Sequence, residues 1–206
     1  MKVALLGSRS LGVAVLKKLR CMDGVEIALI SFPGGDEKMA AAACAERELS
    51  QSHVYWSKQA WALETRLKEA RPDVVIAAHW QDYVTSMMRE ASPAGVLAYH
   101  PSLLPRHRGI DAVKWTIACR DSIAGGTVYR MDGGLDEGPI VAQEWSFVKA
   151  DWTASDLWRE VLFPMGVEML SDVVYKLSNG YSAGCISQDV RFATYEGRYD
   201  DPEDRE

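Results

Sequence analysis

Residues 74–78, Val74-Val75-Ile76-Ala77-Ala78, carry no polar side chain on either face. A strand with one wet face alternates apolar and polar residues. An unbroken apolar run therefore fits a strand covered by helices above and below, as at the centre of a parallel sheet. Arg71-Pro72-Asp73 ends the preceding helix, because proline cannot continue it. The rest of the N-terminal half falls into the same rhythm. Residues 2–6 read as a short buried strand, Gly7-Ser8-Arg9-Ser10 as a tight turn, and Leu11, Val15, Leu16 and Leu19 as the apolar stripe of a helix. A second strand over residues 26–32 ends at Pro33-Gly34-Gly35, and an alanine-rich helix is predicted over 36–49. His53-Val54-Tyr55-Trp56 gives a short strand, Ser57 a helix cap, and Ala60, Leu63, Leu67 and Ala70 the next apolar stripe. Residues 95–99 form the strand that follows.

Strands alternating with helices predict an α/β fold of Rossmann-like type: an open, mostly parallel sheet with helices on both faces. Its ligand crevice lies beyond the carboxyl ends of the strands. After residue 109 the pattern changes to a helix over 110–120 and a β-hairpin region from runs at 124–131 and 139–147. A long amphipathic helix follows, opened by Thr153-Ala154-Ser155-Asp156 and closed by Asn179-Gly180, with a kink predicted at Pro164. A chain of 206 residues can bury one substantial core, so a single domain over 1–195 is expected, followed by an acidic, disordered tail over 196–206.

Composition narrows the function classes. The formal net charge of −6 argues against a nucleic-acid partner, which needs clustered Lys and Arg, and Arg106-His107-Arg108 is a small local cluster. Cys21, Cys44, Cys119 and Cys185 are dispersed, so neither a zinc site nor a disulfide framework is expected; they read as buried thiols of a cytoplasmic protein, with no metal. No apolar stretch approaches the roughly 20 residues needed to cross a bilayer.

Two residues stand out as chemical. His100 follows the strand over 95–99 and precedes Pro101, which holds its neighbour extended and restricts the loop. A lone histidine is more often structural, but one at a strand end of a parallel sheet borders the crevice. Asp136 lies between Gly133-Gly134 and Gly138-Pro139, where close turns can aim a short carboxylate; on spacing alone the reading as an ordinary turn aspartate wins. Gly7-Ser8-Arg9-Ser10-Leu11-Gly12 lacks the dinucleotide glycine spacing, yet a helix N-terminus there can cradle a phosphate.

Together, Ala98-Tyr99-His100-Pro101-Ser102-Leu103-Leu104-Pro105 and Leu135-Asp136-Glu137-Gly138 resemble the signature of the folate-dependent formyltransferases. These are the glycinamide ribonucleotide, methionyl-tRNA and sugar-amine formyltransferases, in which an Asn-x-His-Pro-Ser-Leu-Leu-Pro run precedes a Leu-Asp-x-Gly turn. Pro72-Asp73-Val74-Val75-Ile76-Ala77-Ala78, Gly125-Gly126-Thr127-Val128, Gln188-Asp189 and Ala193-Thr194-Tyr195 extend the likeness over nearly the whole chain. The resemblance implies a formyltransferase fold and transfer of a formyl group from 10-formyltetrahydrofolate to the amine of a small acceptor. His100 would be the acid or oxyanion stabiliser, and Asp136 would hold the imidazole or a water. It further implies folate contacts at Ala78, His79, Trp80, Gln81, Tyr83 and Asp132. Acceptor contacts would lie at Gly7, Ser8, Arg9, Ser10, Arg108 and Gly109.

At the family's asparagine position stands Ala98. Losing one oxyanion donor typically costs about 2.7–4 kcal/mol of transition-state stabilisation. His79, Gln81, His107 and Arg108 are the candidates to replace it, and Ala98→Asn is expected to add a donor. Two further readings stay open: a hydrolase that uses water in place of the amine, and a folate- or nucleotide-binding module with weakened catalysis. A homodimer is left open.

Overall fold

The structure is a computed structural model that describes residues 1–33, 54–57 and 60–200. Its elements are β1 (Lys2–Gly7), α1 (Arg9–Arg20), β2 (Glu26–Pro33), β3 (Val54–Ser57), α2 (Ala60–Ala70), β4 (Val74–Ala78), α3 (Ser86–Arg89), β5 (Val96–His100), α4 (Ala112–Ala118), β6 (Ile123–Arg130) and β7 (Ile140–Phe147). The C-terminal helical stretch comprises α5 (Ala154–Leu157), a π-helical segment (Trp158–Leu162) and α6 (Phe163–Ser178). One seven-stranded sheet takes the order β3-β2-β1-β4-β5-β6-β7. Pairing is parallel from β3 to β5, and β6 and β7 add antiparallel. This is the expected parallel sheet followed by a hairpin. The winding direction reverses between β1 and β4, which opens a crevice at their carboxyl ends.

Strand periodicity decides which face each side chain serves. Val3, Leu5, Val74, Ile76, Leu97 and Tyr99 pack with Leu11, Val15, Leu16 and Leu19 of α1 and with Met169, Leu170, Val173 and Val174 of α6. The alternate residues Ala4, Leu6, Val75, Ala77, Val96 and Ala98 pack with Leu63 and Leu67 of α2 and Met88 of α3. Both faces of β4 are thus covered, as its unbroken apolar sequence requires. Gly7 and Gly12 let α1 seat on the end of β1: a Cβ built on Gly12 would lie 2.8 Å from the Gly7 Cα.

Several boundaries shift. Helix α1 begins at Arg9, so Arg9 and Ser10 belong to its first turn rather than to a separate four-residue turn. Ser57 ends β3 instead of capping a helix that starts at Ala60, and the helix expected over 36–49 lies outside the described residues. His100 closes β5 from within, so the ladder itself fixes its backbone. Thr153 and Asp156 form a reciprocal capping box at α5. The irregularity expected at Pro164 takes the form of the wide turn just before it, since proline has no N–H to donate backwards. Cys21, Cys119 and Cys185 are exposed rather than buried; the first two cap the ends of α1 and α4.

The packed body also runs past residue 195. Trp115 Nε1 donates to the Gly197 carbonyl at 2.9 Å, Tyr199 packs edge-on against the Trp115 ring, and the Tyr199 N–H donates to Asp111 at 3.1 Å. Residues 201–206 of the expected tail lie outside the described residues. Among the described residues, no helix is long and apolar enough to cross a membrane.

Candidate active site

Alternation along β5 turns Val96, Ala98 and His100 to one face of the sheet. The antiparallel register sets Tyr129 opposite Ala98 and Thr127 opposite His100. After His100 the chain enters a proline-bounded loop whose polar groups are held from several sides. The Thr127 hydroxyl donates to the Ser102 carbonyl at 2.6 Å and accepts from the Leu104 N–H at 3.1 Å. Gln143 on β7 donates to the Leu104 carbonyl and to Thr127 Oγ1. The Ser102 hydroxyl donates to the Arg106 carbonyl at 2.6 Å.

His100 is 7% exposed. Its Nε2 lies 2.7 Å from the His107 carbonyl oxygen, which can only accept, so Nε2 carries a proton. Nδ1 faces Asp136 Oδ2 at 3.5 Å. The same Oδ2 accepts the Gly109 N–H at 2.8 Å, and Oδ1 accepts the Tyr129 hydroxyl at 2.6 Å. Burial and the adjoining Asp136 carboxylate hold the Tyr129 phenol well above the usual tyrosine range, so it remains a donor. Asp136 itself sits at φ 53, a left-handed backbone uncommon outside glycine, and the neighbouring Gly138 is fixed by a close pass of the Arg130 carbonyl that a side chain would obstruct.

A strap from the C-terminal segment closes this arrangement. Gln188 Nε2 donates to the Asp136 carbonyl at 2.8 Å and the Gly138 carbonyl at 2.7 Å, while its Oε1 accepts from Arg108. Thr194 binds the loop through the His107 N–H, the Arg108 N–H and the Pro105 carbonyl. Gln188 and Thr194, legible in the sequence only as scattered matches, physically join the histidine loop to the aspartate turn.

The anticipated residues therefore divide. His100, Asp136 and Gly109 meet directly. Arg108, expected to face the acceptor or replace the missing donor, is 3% exposed and turned into the strap, bonding Gln188 and the Tyr195 hydroxyl with Glu137 at 3.6 Å. His107, another candidate donor, is clamped between Asp121 at 2.9 Å and Glu196 at 3.1 Å. Asp132 caps a local turn by accepting the Gly134 N–H, at an exposed position.

The loop after β4 is built differently. Ala78 is buried at the strand end, and its carbonyl accepts the Ser8 N–H at 3.0 Å, joining β4 to the turn after β1. His79 takes a left-handed backbone at φ 60, with its ring 6.2 Å from that of Trp158. The Trp80 Nε1–H is buried with no acceptor among the described residues, whereas Gln81 is exposed and Tyr83 is 72% exposed. Gly7 and Ser8 are buried; Arg9 and Ser10 are exposed at the start of α1. The residue that escaped notice in the sequence is Tyr129. Its signal lies in strand register, which pairs it with Ala98 and brings its hydroxyl to Asp136.

Residues 1–174 match the profile of the formyl transferase family. Over 204 residues the chain is 29% identical to the human mitochondrial 10-formyltetrahydrofolate dehydrogenase, covering 96% of this chain and 22% of that protein. The chain thus spans about a fifth of the length of this relative. Among solved structures, an N-formyltransferase from Helicobacter canadensis, in complex with folinic acid and dTDP-3-aminofucose, superposes with a TM-score of 0.76. It is 17% identical, with 96% of this chain and 71% of that one covered. A phosphoribosylglycinamide formyltransferase from Anaplasma phagocytophilum superposes with a TM-score of 0.74 at 22% identity, covering 87% of each chain.

Proposed function

The chain belongs to the formyl transferase family, and from that premise we propose that it takes the formyl group of 10-formyltetrahydrofolate and passes it to the amine of a small acceptor. The observation that carries this reading is the meeting of His100 and Asp136 at 3.5 Å, with the carboxylate pinned by Gly109 and Tyr129. Such pinning fixes a proton-transfer pair before substrate arrives, which is where a site gains most of its electrostatic advantage.

The residues after β4 fit a flat, polar-edged heterocycle. Trp80 offers a buried N–H with no acceptor among the described residues, and Tyr83 an exposed ring. Ala78, His79, Trp80, Gln81 and Tyr83 would hold the folate, with Asp132 at the edge of the aspartate turn. When bound, the folate supplies an activated formyl group. His100 offers its Nε2–H to the oxygen that becomes negative, exchanging the His107 carbonyl for it. Asp136 faces the imidazole at Nδ1 and would receive, directly or through water, the proton the amine loses, which passes on to N10 of the folate as its bond to the formyl carbon breaks. Gly7, Ser8, Arg9 and Ser10, at the N-terminus of α1, would face an acceptor phosphate; Arg108 contributes by holding the loop that carries Gly109.

A second reading, in which water replaces the amine and formate leaves, is favoured by the likeness to a 10-formyltetrahydrofolate dehydrogenase, a protein named for acting on the donor itself. The binding-module reading is disfavoured by the retained His100–Asp136 pair, whose carboxylate is held at both oxygens. Calorimetry with 5-formyltetrahydrofolate tests the donor site: binding in the micromolar range is expected, and no heat at millimolar ligand defeats both catalytic readings. Turnover of 10-formyltetrahydrofolate with and without candidate amines then separates them, since hydrolysis releases formate in the absence of any amine.

A further inference from the structure

We propose that Tyr129 is a positioning residue of this active site: it fixes the Asp136 carboxylate toward His100, from a strand position whose cross-strand partner, Ala98, is small enough to leave room for the phenol ring. What the unit does rests on the proposed function; how it is built does not. Ala98 and Tyr129 are directly opposed in the β5–β6 ladder, both are buried, and both belong to the same packed cluster. Opposed residues in such a ladder place their Cβ atoms roughly 5 Å apart, so a larger side chain at 98 competes with the ring for space. The ring delivers its hydroxyl to Asp136 Oδ1 at 2.6 Å, leaving Oδ2 for the Gly109 N–H and for His100 Nδ1.

A carboxylate held only at Oδ2 could rotate about its Cβ–Cγ bond. Held at both oxygens, it presents one fixed edge to the imidazole. Burial and the Asp136 charge keep the phenol protonated, so the restraint persists across the working pH range. The bland alternative is that Tyr129 is a core residue whose hydroxyl uses the nearest acceptor without influence on His100.

Tyr129→Phe keeps the ring and removes only the hydroxyl. We expect ¹⁵N NMR of the His100 imidazole to show its Nδ1 signal displaced in Tyr129→Phe in the same direction as in Asp136→Asn, with no ligand present. Turnover of 10-formyltetrahydrofolate should fall about ten- to a hundredfold, the range of one hydrogen bond to a charged group, while affinity for 5-formyltetrahydrofolate changes by less than about twofold. In an Asp136→Asn background the same substitution should cost nothing further, because its effect passes through Asp136. An unchanged His100 signal, or a loss fully additive with Asp136→Asn, overturns the proposal and leaves the formyltransferase reading standing. If the wild-type protein binds no folate, that reading falls and the NMR comparison still decides the role of Tyr129. Should Tyr129→Phe fail to fold, 3,5-difluorotyrosine at position 129 keeps the shape and strengthens the donor. The His100 signal should then move in the opposite direction, and no movement overturns the proposal.

Discussion

The loops that follow β4 and β5 leave neighbouring parallel strands at the same edge of the sheet, yet they are built on opposite plans. The β5 loop buries His100, Ser102, His107 and Arg108 and gives each a partner, including partners from β6, β7 and the C-terminal strap. The β4 loop exposes Gln81 and Tyr83 and leaves the Trp80 N–H without an acceptor among the described residues. Reacting groups gain from being held in place before substrate arrives, whereas a binding loop serves by offering aromatic surface and polar edges to its ligand. The contrast matches the proposed division, with chemistry at one loop and recognition at the other.

The largest effect expected from this contrast is on the chemical side. His100→Ala and Asp136→Asn should each lower turnover by about 10²–10⁴-fold with little change in folate affinity, and the double variant should be no worse than the weaker single one. Steady-state kinetics alongside calorimetry checks this, and full additivity would mean that the two do not act as a unit. Next comes the strap. Gln188→Ala removes the acceptor for Nε and Nη2 of the buried Arg108 and the donor to the Asp136 turn, so urea denaturation should show a loss of about 2–4 kcal/mol, with turnover falling in parallel. A loss of stability with normal turnover would show that the strap does not set the site.

Ala98→Asn comes third. Sequence alone favours it as a gain of an oxyanion donor; the opposed Tyr129 ring reverses the expectation. Overpacking should cost about 1–3 kcal/mol and lower turnover, and Ala98→Asn combined with Tyr129→Phe should not recover it. The smallest effect on folding belongs to the recognition loop. Tyr83→Ala should shift stability by less than about 0.5 kcal/mol, as measured by thermal melting, yet weaken 5-formyltetrahydrofolate binding several-fold. Unchanged binding would remove Tyr83 from the folate contacts.

What the sequence made legible follows the range of the interactions. The apolar run Val74–Ala78 and the stripes at Leu11 to Leu19 and Leu63 to Leu67 report local periodicity, and each fell in its expected element. The proline-bounded loop marked His100 and the glycine-flanked turn marked Asp136, although only the resemblance could join two positions so far apart. The role of Arg108 was hidden because a basic residue in a site loop reads as a ligand contact until its partners, Gln188 and Tyr195, are seen. Tyr129 was hidden for a related reason: strand register, a non-local property, decides which residue stands opposite Ala98. In the sequence, Glu196 and Tyr199 read as part of a charged tail, since the buried His107 and the Trp115 ring they meet come from much earlier in the chain.

The strap also has a consequence for the order of events during synthesis. Gln188 reaches back 52 residues to hold the carbonyl of Asp136, so the ribosome delivers the sheet, the histidine and the aspartate well before the groups that fix their relative placement. A nascent chain that stops short of this segment can hold every described strand of the sheet, with His100 and Asp136, and still lack the contacts that fix their relative placement. On the proposed reading, the site is therefore set only after the hydrophobic core has been supplied with nearly all of its residues.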